Sequence, residues 1–131
     1  MKKFKISFDF DECLGDNIHI QTLAKILVNA GCDIFVLTSR VNDGVISNED
    51  LFDLIKEIGI PNEKIIFVGT SSKYLAMKEH NITLHFDDNA DTVDRINRYF
   101  DSPLSTNKRA VLVNFDFEDV ANTFPNYIKL V

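Results

Sequence analysis

The sequence predicts an α/β fold of three layers, with helices on both faces of a mostly parallel five-stranded sheet. Two observations carry this. Short apolar runs alternate with longer segments whose apolar residues recur at helical spacing, which is the pattern of repeated βαβ units. The runs are also apolar throughout rather than at every second residue, as in Ile34-Phe35-Val36-Leu37, and that marks strands buried on both faces. No internal repeat or low-complexity tract interrupts the alternation.

The first strand is expected over residues 4–9. A helix follows over 18–29, with Ile20, Leu23, Ala24 and Leu27 on one face and Gly31 placed to stop it. Residues 33–38 make the second strand. After a polar loop, Asn48 can cap a helix carrying Leu51, Leu54, Ile55 and Ile58, which Gly59 and Pro61 terminate. The third strand is expected over 64–68. Ser71 or Ser72 opens a helix through Lys78, the fourth strand covers 82–86, and Asn89 or Asp91 starts a helix through Arg98. A fifth strand over 110–115 completes the pattern. At 131 residues the chain suits one domain, 1–131.

In such sheets ligands bind beyond the carboxyl ends of the strands. Asp9 ends the first strand, Thr38 the second, and Asp87 with Asp88 the fourth, while Lys73 follows the third. Ionisable groups from distant segments therefore gather at one edge. Phosphoryl transfer to a carboxylate needs a nucleophile, a proton donor for the leaving oxygen, a cation to offset charge, and donors to hold the transferring group. Asp9 and Asp11, two residues apart where the chain leaves strand geometry, can face one cavity as nucleophile and general acid/base. Asp87 and Asp88 form with Asp9 an acidic cluster that would repel itself without a divalent ion, and magnesium suits a few carboxylates with phosphate and water. Thr38 offers a hydroxyl donor, and Lys73 a positive charge for nucleophile and phosphate.

This order of residues resembles the haloacid dehalogenase (HAD) superfamily: Asp9-x-Asp11 after an apolar strand, Thr38 after Phe35-Val36-Leu37, Lys73 at a helix start, and Asp87-Asp88 after Leu84-His85-Phe86. All four motifs of that superfamily are matched in order. The resemblance implies a Rossmann-like sandwich and a phosphohydrolase that works through an aspartyl-phosphate. It implies that Asp9 is the nucleophile and a magnesium ligand, and that Asp11 is the acid/base and binds the metal through its backbone carbonyl. Thr38, Ser39 and Lys73 would hold the phosphate. The acidic motif would complete the metal site, with Asp87 the first choice and Asp88 its partner. Where the family usually has Thr or Val, this chain has Cys13. Within the superfamily, LTSR, GIPNEKIIFVG and the segment 73–88 look most like small bacterial and phage proteins related to 5'-nucleotidases that act on deoxyribonucleotides. A fainter likeness is to the phosphatase half of polynucleotide kinase.

Singly, each motif has a plainer meaning: a solvated turn, a strand-ending hydroxyl, a surface lysine, an acidic helix start. Their co-occurrence argues for chemistry. The rivals are a catalytically weak protein of the same fold that binds a phosphorylated ligand or a protein partner, and a response-regulator receiver domain. A receiver carries its acidic pair on the first strand and its phospho-acceptor on the third, and the run at 64–68 has no such aspartate.

Other residues are expected to be structural. His19, His80 and His85 lack ligand spacing, and the 11 phenylalanines are mainly core, with Phe10 a candidate wall of the site. Arg40 is either surface charge or a contact for a second anionic group. Cys13 and Cys32 have neither zinc nor disulfide spacing, which points to a reduced, cytoplasmic setting. The N-terminal stretch is interrupted by Lys5, Ser7 and Asp9, so it reads as neither signal peptide nor membrane span. A net charge of -6 disfavours general nucleic-acid binding, although Arg95, Arg98, Lys108 and Arg109 cluster in sequence. The expected partner is a phosphorylated small molecule or nucleotide, or a larger phosphorylated substrate.

Only 26 residues separate Asp11 from Thr38, and a helix uses about half of them, so no cap domain fits there. The span from Thr38 to Lys73 already holds a helix and a strand. An open site is expected, bounded by residues 13–17 and 41–47. It would suit a large substrate, or a homo-oligomer whose neighbouring subunit closes it.

Overall fold

A computed structural model describes residues 3–101 and 107–113. The elements in chain order are β1 (Lys5–Phe8), α1 (Ile18–Asn29), β2 (Asp33–Thr38), α2 (Glu49–Ile58), β3 (Ile65–Phe67), α3 (Lys73–Glu79), β4 (Leu84–Asp87), α4 (Ala90–Phe100) and β5 (Arg109–Leu112). All five strands pair in parallel, in the order β3-β2-β1-β4-β5. The sheet is thus wholly parallel where a mostly parallel one was expected. A receiver-type sheet runs 2-1-3-4-5, so the observed order also sets that alternative aside.

The continuous apolar runs are explained by layers on both faces. Ile6, Phe8, Ile34 and Val36 pack with Ile20 and Ala24 of α1 and with Leu51, Ile55 and Ile58 of α2. Phe35 and Leu37 point the other way, into Ala76 and Met77 of α3, Ile96 and Phe100 of α4, and Ala110 of β5. Successive residues of one strand serve two cores, so a polar substitution at either would be buried.

The helix ends follow local chemistry. The Asn17 side chain accepts the N–H groups of His19 and Ile20 at the start of α1, and Asn89 accepts that of Thr92 at the start of α4. Gly59 closes α2 in the left-handed region at φ 99°, where a side chain is strained. Asn48 occupies the expected cap position of α2 but does not cap. Its Nδ2 instead donates to the Val41 carbonyl (2.9 Å), which ties down the loop that follows β2.

Several boundaries shift. β1, β3 and β4 are shorter than expected, and β4 starts at Leu84 rather than 82 and runs on through Asp87. Ile82 belongs to the turn before β4, where its N–H donates to the Met77 carbonyl. β5 begins one residue early, and its expected end at 114–115 lies outside the described residues. Among the described residues no domain is inserted after Asp9 or after Thr38, and no helix is long and apolar enough to cross a membrane.

Candidate functional site

The strand order reverses direction between β1 and β4, and in open parallel sheets the crevice beyond the carboxyl ends at such a reversal is where ligands bind. Asp9 follows β1 at that point, and Asp87 is the last residue of β4. Phe8 pairs with Phe86 in register, so Asp9 and Asp87 fall next to each other and on the sheet face covered by α3. Lys73 is the first residue of α3. Its Nζ donates to Asp9 Oδ1 and to Asp87 Oδ2, both at 2.7 Å, and its side chain is 9% exposed. Ligand oxygens of Asp9, Asp87 and Asp88 lie within 4.8 Å of one another.

The two aspartates bridged by Lys73 differ in their surroundings. Burial, and next the carboxyl of Asp88, push Asp9 up to about 8 against the opposing charge of Lys73. Burial also disfavours the charge on Asp87, but the His85 hydrogen bond and Lys73 outweigh it and bring Asp87 down to about 2. Burial tends to neutralise Lys73, yet the charges of Asp9 and Asp87 prevail and raise it. Lys73 and Asp87 are therefore a fixed ion pair, whereas burial and the neighbouring Asp88 carboxyl favour the protonated form of Asp9.

His85 is wholly buried and hydrogen-bonds on both sides, to Ser7 Oγ through Nδ1 (2.7 Å) and to Asp87 Oδ2 through Nε2 (2.8 Å). Burial lowers its pKa, so the ring is neutral. Since Asp87 can only accept, the proton sits on Nε2, and Nδ1 accepts from the Ser7 hydroxyl. Asp87 Oδ1 accepts the Asn89 N–H at 3.0 Å. Both oxygens of Asp87 are thus committed to protein donors.

Asp9 keeps Oδ2 outside these bonds, and Asp88 is half-buried beside it. Asp9 and Asp88 could hold a hard divalent cation. All donors in the cluster are carboxylate oxygens, and added positive charge would favour the ionised form of Asp9.

Asp11 lies in a tight turn after the nucleophile candidate. The turn is closed by Leu14 N–H to Asp9 O (3.1 Å) and Gly15 N–H to Phe10 O (2.8 Å), with Glu12 left-handed at φ 58°. The Asp16 carboxylate accepts the Glu12 N–H at 2.9 Å. Gly15 is required by contact, because a Cβ there would meet the Phe10 ring at 2.9 Å. Asp11 turns toward Arg40, and its side chain is 52% exposed. Arg40 donates to both Asp11 oxygens, to both Asp50 oxygens, and stacks 4.8 Å over the Phe10 ring.

The remaining expected residues divide. Thr38 is wholly buried, and its Oγ1 accepts the Arg40 N–H at 3.2 Å, with no bond to the carboxylate cluster. Ser39 is exposed and lies at the junction of two depressions that flank the site. Cys13 is wholly buried with Sγ 3.9 Å from the Phe86 carbonyl, and burial pushes its thiol up to about 12. It packs as a small hydrophobe. Cys13 and Leu14 are therefore buried instead of forming a rim, while 41–47, the other expected boundary, is exposed. The sequence reading missed His85, Ser7 and Asp50. An isolated histidine in an apolar strand reads as core, and only its register opposite Ser7 and two residues before Asp87 marks it.

No protein-family model matches the sequence, and no curated protein matches it.

Proposed function

We propose that this protein is a magnesium-dependent phosphohydrolase that cleaves a phosphate monoester, a nucleotide among the candidates, through an aspartyl-phosphate on Asp9. The observation that carries the reading is Lys73 Nζ placed 2.7 Å from both Asp9 and Asp87 at the reversal point of the sheet. A buried carboxylate with one oxygen held by a lysine and the other outside that bond is a fixed nucleophile. The four-motif resemblance to the HAD superfamily supports the same assignment.

In this reading Asp9 attacks phosphorus, and the bond from phosphorus to the leaving oxygen breaks. Asp11 gives that oxygen a proton, then takes one from the water that attacks the aspartyl-phosphate, which frees phosphate and restores Asp9. Lys73 orients Asp9 and offsets charge on the transferring group. Asp87, itself held by His85, holds Lys73. Magnesium, held by Asp9, Asp88 and the backbone carbonyl of Asp11, would neutralise charge on the phosphoryl oxygens. Asp88 replaces Asp87 as the preferred direct ligand, because the Asp87 oxygens already accept from Lys73, His85 and Asn89.

A second reading, a catalytically weak phospho-ligand-binding protein, draws support from the Arg40 grip on Asp11, which occupies both oxygens of the proton donor. Phosphate release from 4-nitrophenyl phosphate with and without magnesium, in wild type and Asp9→Asn, separates the two. Metal-dependent release lost in Asp9→Asn supports the enzyme. Phosphate binding without release in either protein supports the binding module.

A further inference from the structure

Beside the Asp9–Lys73 pair lies a recess of about 150 Å³ bounded by the loop after β3, α3 and α4. Five aliphatic hydroxyls line it, from Ser39, Thr70, Ser71, Ser72 and Thr92, together with Tyr74, Lys73 and Arg95, and among the described residues no carboxylate does. In a chain of net charge -6 that is a local reversal of sign. The other depression that Ser39 lines carries Glu49, Asp50 and Asp53 against one cation, Arg40, which is already paired with Asp11 and Asp50. An anionic group near Asp9 would thus be attracted toward one side and repelled from the other.

Apart from Lys73, the aliphatic hydroxyl and guanidinium donors of the recess are uncommitted among the described residues. None of the five hydroxyl groups makes a side-chain hydrogen bond to the described residues, and Arg95 has no ion pair among them. The other described arginines are all paired, Arg40 with Asp11 and Asp50, Arg98 with Asp94, and Arg109 with Asp101. Lys73 is spent on Asp9 and Asp87, so Arg95 is the free cation of the recess. Tyr74, on its wall, stacks on Tyr99 with ring centroids 4.3 Å apart, which braces α3 against α4. The volume is about half the ~300 Å³ at which whole small-molecule sites begin. One functional group fits, not a whole ligand.

We infer that this recess is a subsite for a second anionic group, a phosphate or carboxylate carried on the same molecule as the scissile phosphate, and that Arg95 determines this specificity. The inference rests on the phosphohydrolase reading for the position of the scissile group. A planar guanidinium with hydroxyl donors is suited to a tetrahedral or planar oxyanion, and Lys73, which both lines the recess with Arg95 and bonds Asp9, connects the two sites.

The test uses alkanediol bisphosphates of two to six carbons, the matching monophosphates, and the matching phosphoalkanoates, with magnesium. Wild type should show kcat/KM at least about tenfold higher for a bisphosphate or a phosphoalkanoate than for the monophosphate at one chain length, as expected for one charge-assisted contact. The better of the two identifies the anion. In Arg95→Gln that ratio should fall to within about twofold of unity, while Arg98→Gln, outside the recess, keeps it. A wild-type ratio near unity at every length, or one unchanged in Arg95→Gln, overturns the subsite. If no compound releases phosphate, the hydrolase reading fails by itself, and calorimetry with the bisphosphates decides the subsite. Weaker binding to Arg95→Gln than to wild type upholds it, and equal binding overturns it.

Discussion

Arg40 grips Asp11 by both carboxylate oxygens, Nε to Oδ2 at 3.0 Å and Nη2 to Oδ1 at 2.7 Å. The pair is separated by 29 residues in the chain, and the same guanidinium holds Asp50 and lies over Phe10. The Asp11 and Asp50 side chains are more than half exposed, so each ion pair contributes only about 0–1 kcal/mol to stability. What the arrangement fixes is the position of Asp11.

If Asp11 is the proton donor, as proposed, Arg40 would be its positioning residue and would have to loosen its hold on one oxygen as Asp11 takes up a proton. Arg40→Ala should lower kcat for alkyl phosphates about tenfold, a part of the 10²–10⁴ that general acid catalysis supplies. It should change kcat much less for a dinitrophenyl phosphate, whose leaving oxygen needs little protonation. Equal losses on both substrates would assign Arg40 to phosphate binding instead.

His85 supports the site from below. His85→Leu roughly keeps the volume but leaves the Ser7 hydroxyl and one acceptor site of Asp87 unpaired, at a cost of about 1–3 kcal/mol in urea unfolding at neutral pH. Asp87 is held down near about 2 in the folded protein, against 3.8 ordinarily, where its burial is outweighed by the His85 bond and Lys73. A depressed carboxyl stabilises above its unfolded pKa, and the benefit fades as pH falls toward the folded one. The gap between wild type and variant should therefore narrow below pH 3.8. A variant as stable as wild type at neutral pH would contradict the buried network.

The sheet and the meeting of Asp9, Lys73 and Asp87 were legible in the sequence because both follow from simple periodicity. Wholly apolar strands force a two-faced parallel sheet, and parallel strands deliver their carboxyl ends to one edge. Partner choice within that edge was not legible. Two-residue spacing suggested that Asp9 and Asp11 face one cavity, but the turn with Glu12 at φ 58° sends Asp11 to Arg40. Likewise, the sequence made Asp87 the first choice for the metal with Asp88 its partner, and only the three donors on Asp87 favour the reverse order. Such pairings depend on side-chain directions that spacing does not encode.

Magnesium binding should release a proton. In the metal-free protein, burial first and then Asp88 keep Asp9 protonated up to about pH 8, so below that pH the ion displaces the proton and affinity should rise about tenfold per pH unit. Calorimetry at pH 6.5 in buffers of different ionisation enthalpy should give close to one proton released, vanishing above pH 9. A raised carboxyl pKa also means that the folded state holds the extra proton between 3.8 and about 8. Metal-free stability should fall as pH rises through that window, with magnesium opposing the fall. Proton release near zero at pH 6.5 would place the ion away from Asp9.

Cys13, with its thiol pushed up to about 12 by burial and by the charge of Asp9, should resist iodoacetamide in the folded protein, since the thiolate is the reactive form. Cys32, partly exposed, is the contrasting site within the same digest. Peptide mass mapping should find alkylation at Cys32 alone until denaturant is added. Rapid labelling of Cys13 under native conditions would show that the turn opens.

The central claim is that Asp9 carries the phosphoryl group. Under the proposed mechanism, Asp11→Asn should slow hydrolysis of the aspartyl-phosphate by removing its base, while a dinitrophenyl phosphate should still phosphorylate Asp9 because its leaving group departs unaided. This variant, mixed with that substrate and magnesium, quenched in acid and mapped by mass spectrometry, is the direct measurement. The account predicts a phosphoryl group on the peptide containing Asp9, bound to Asp9 itself and removed by hydroxylamine. Release of dinitrophenol with Asp9 unmodified, or with the phosphoryl group on another residue, would contradict it.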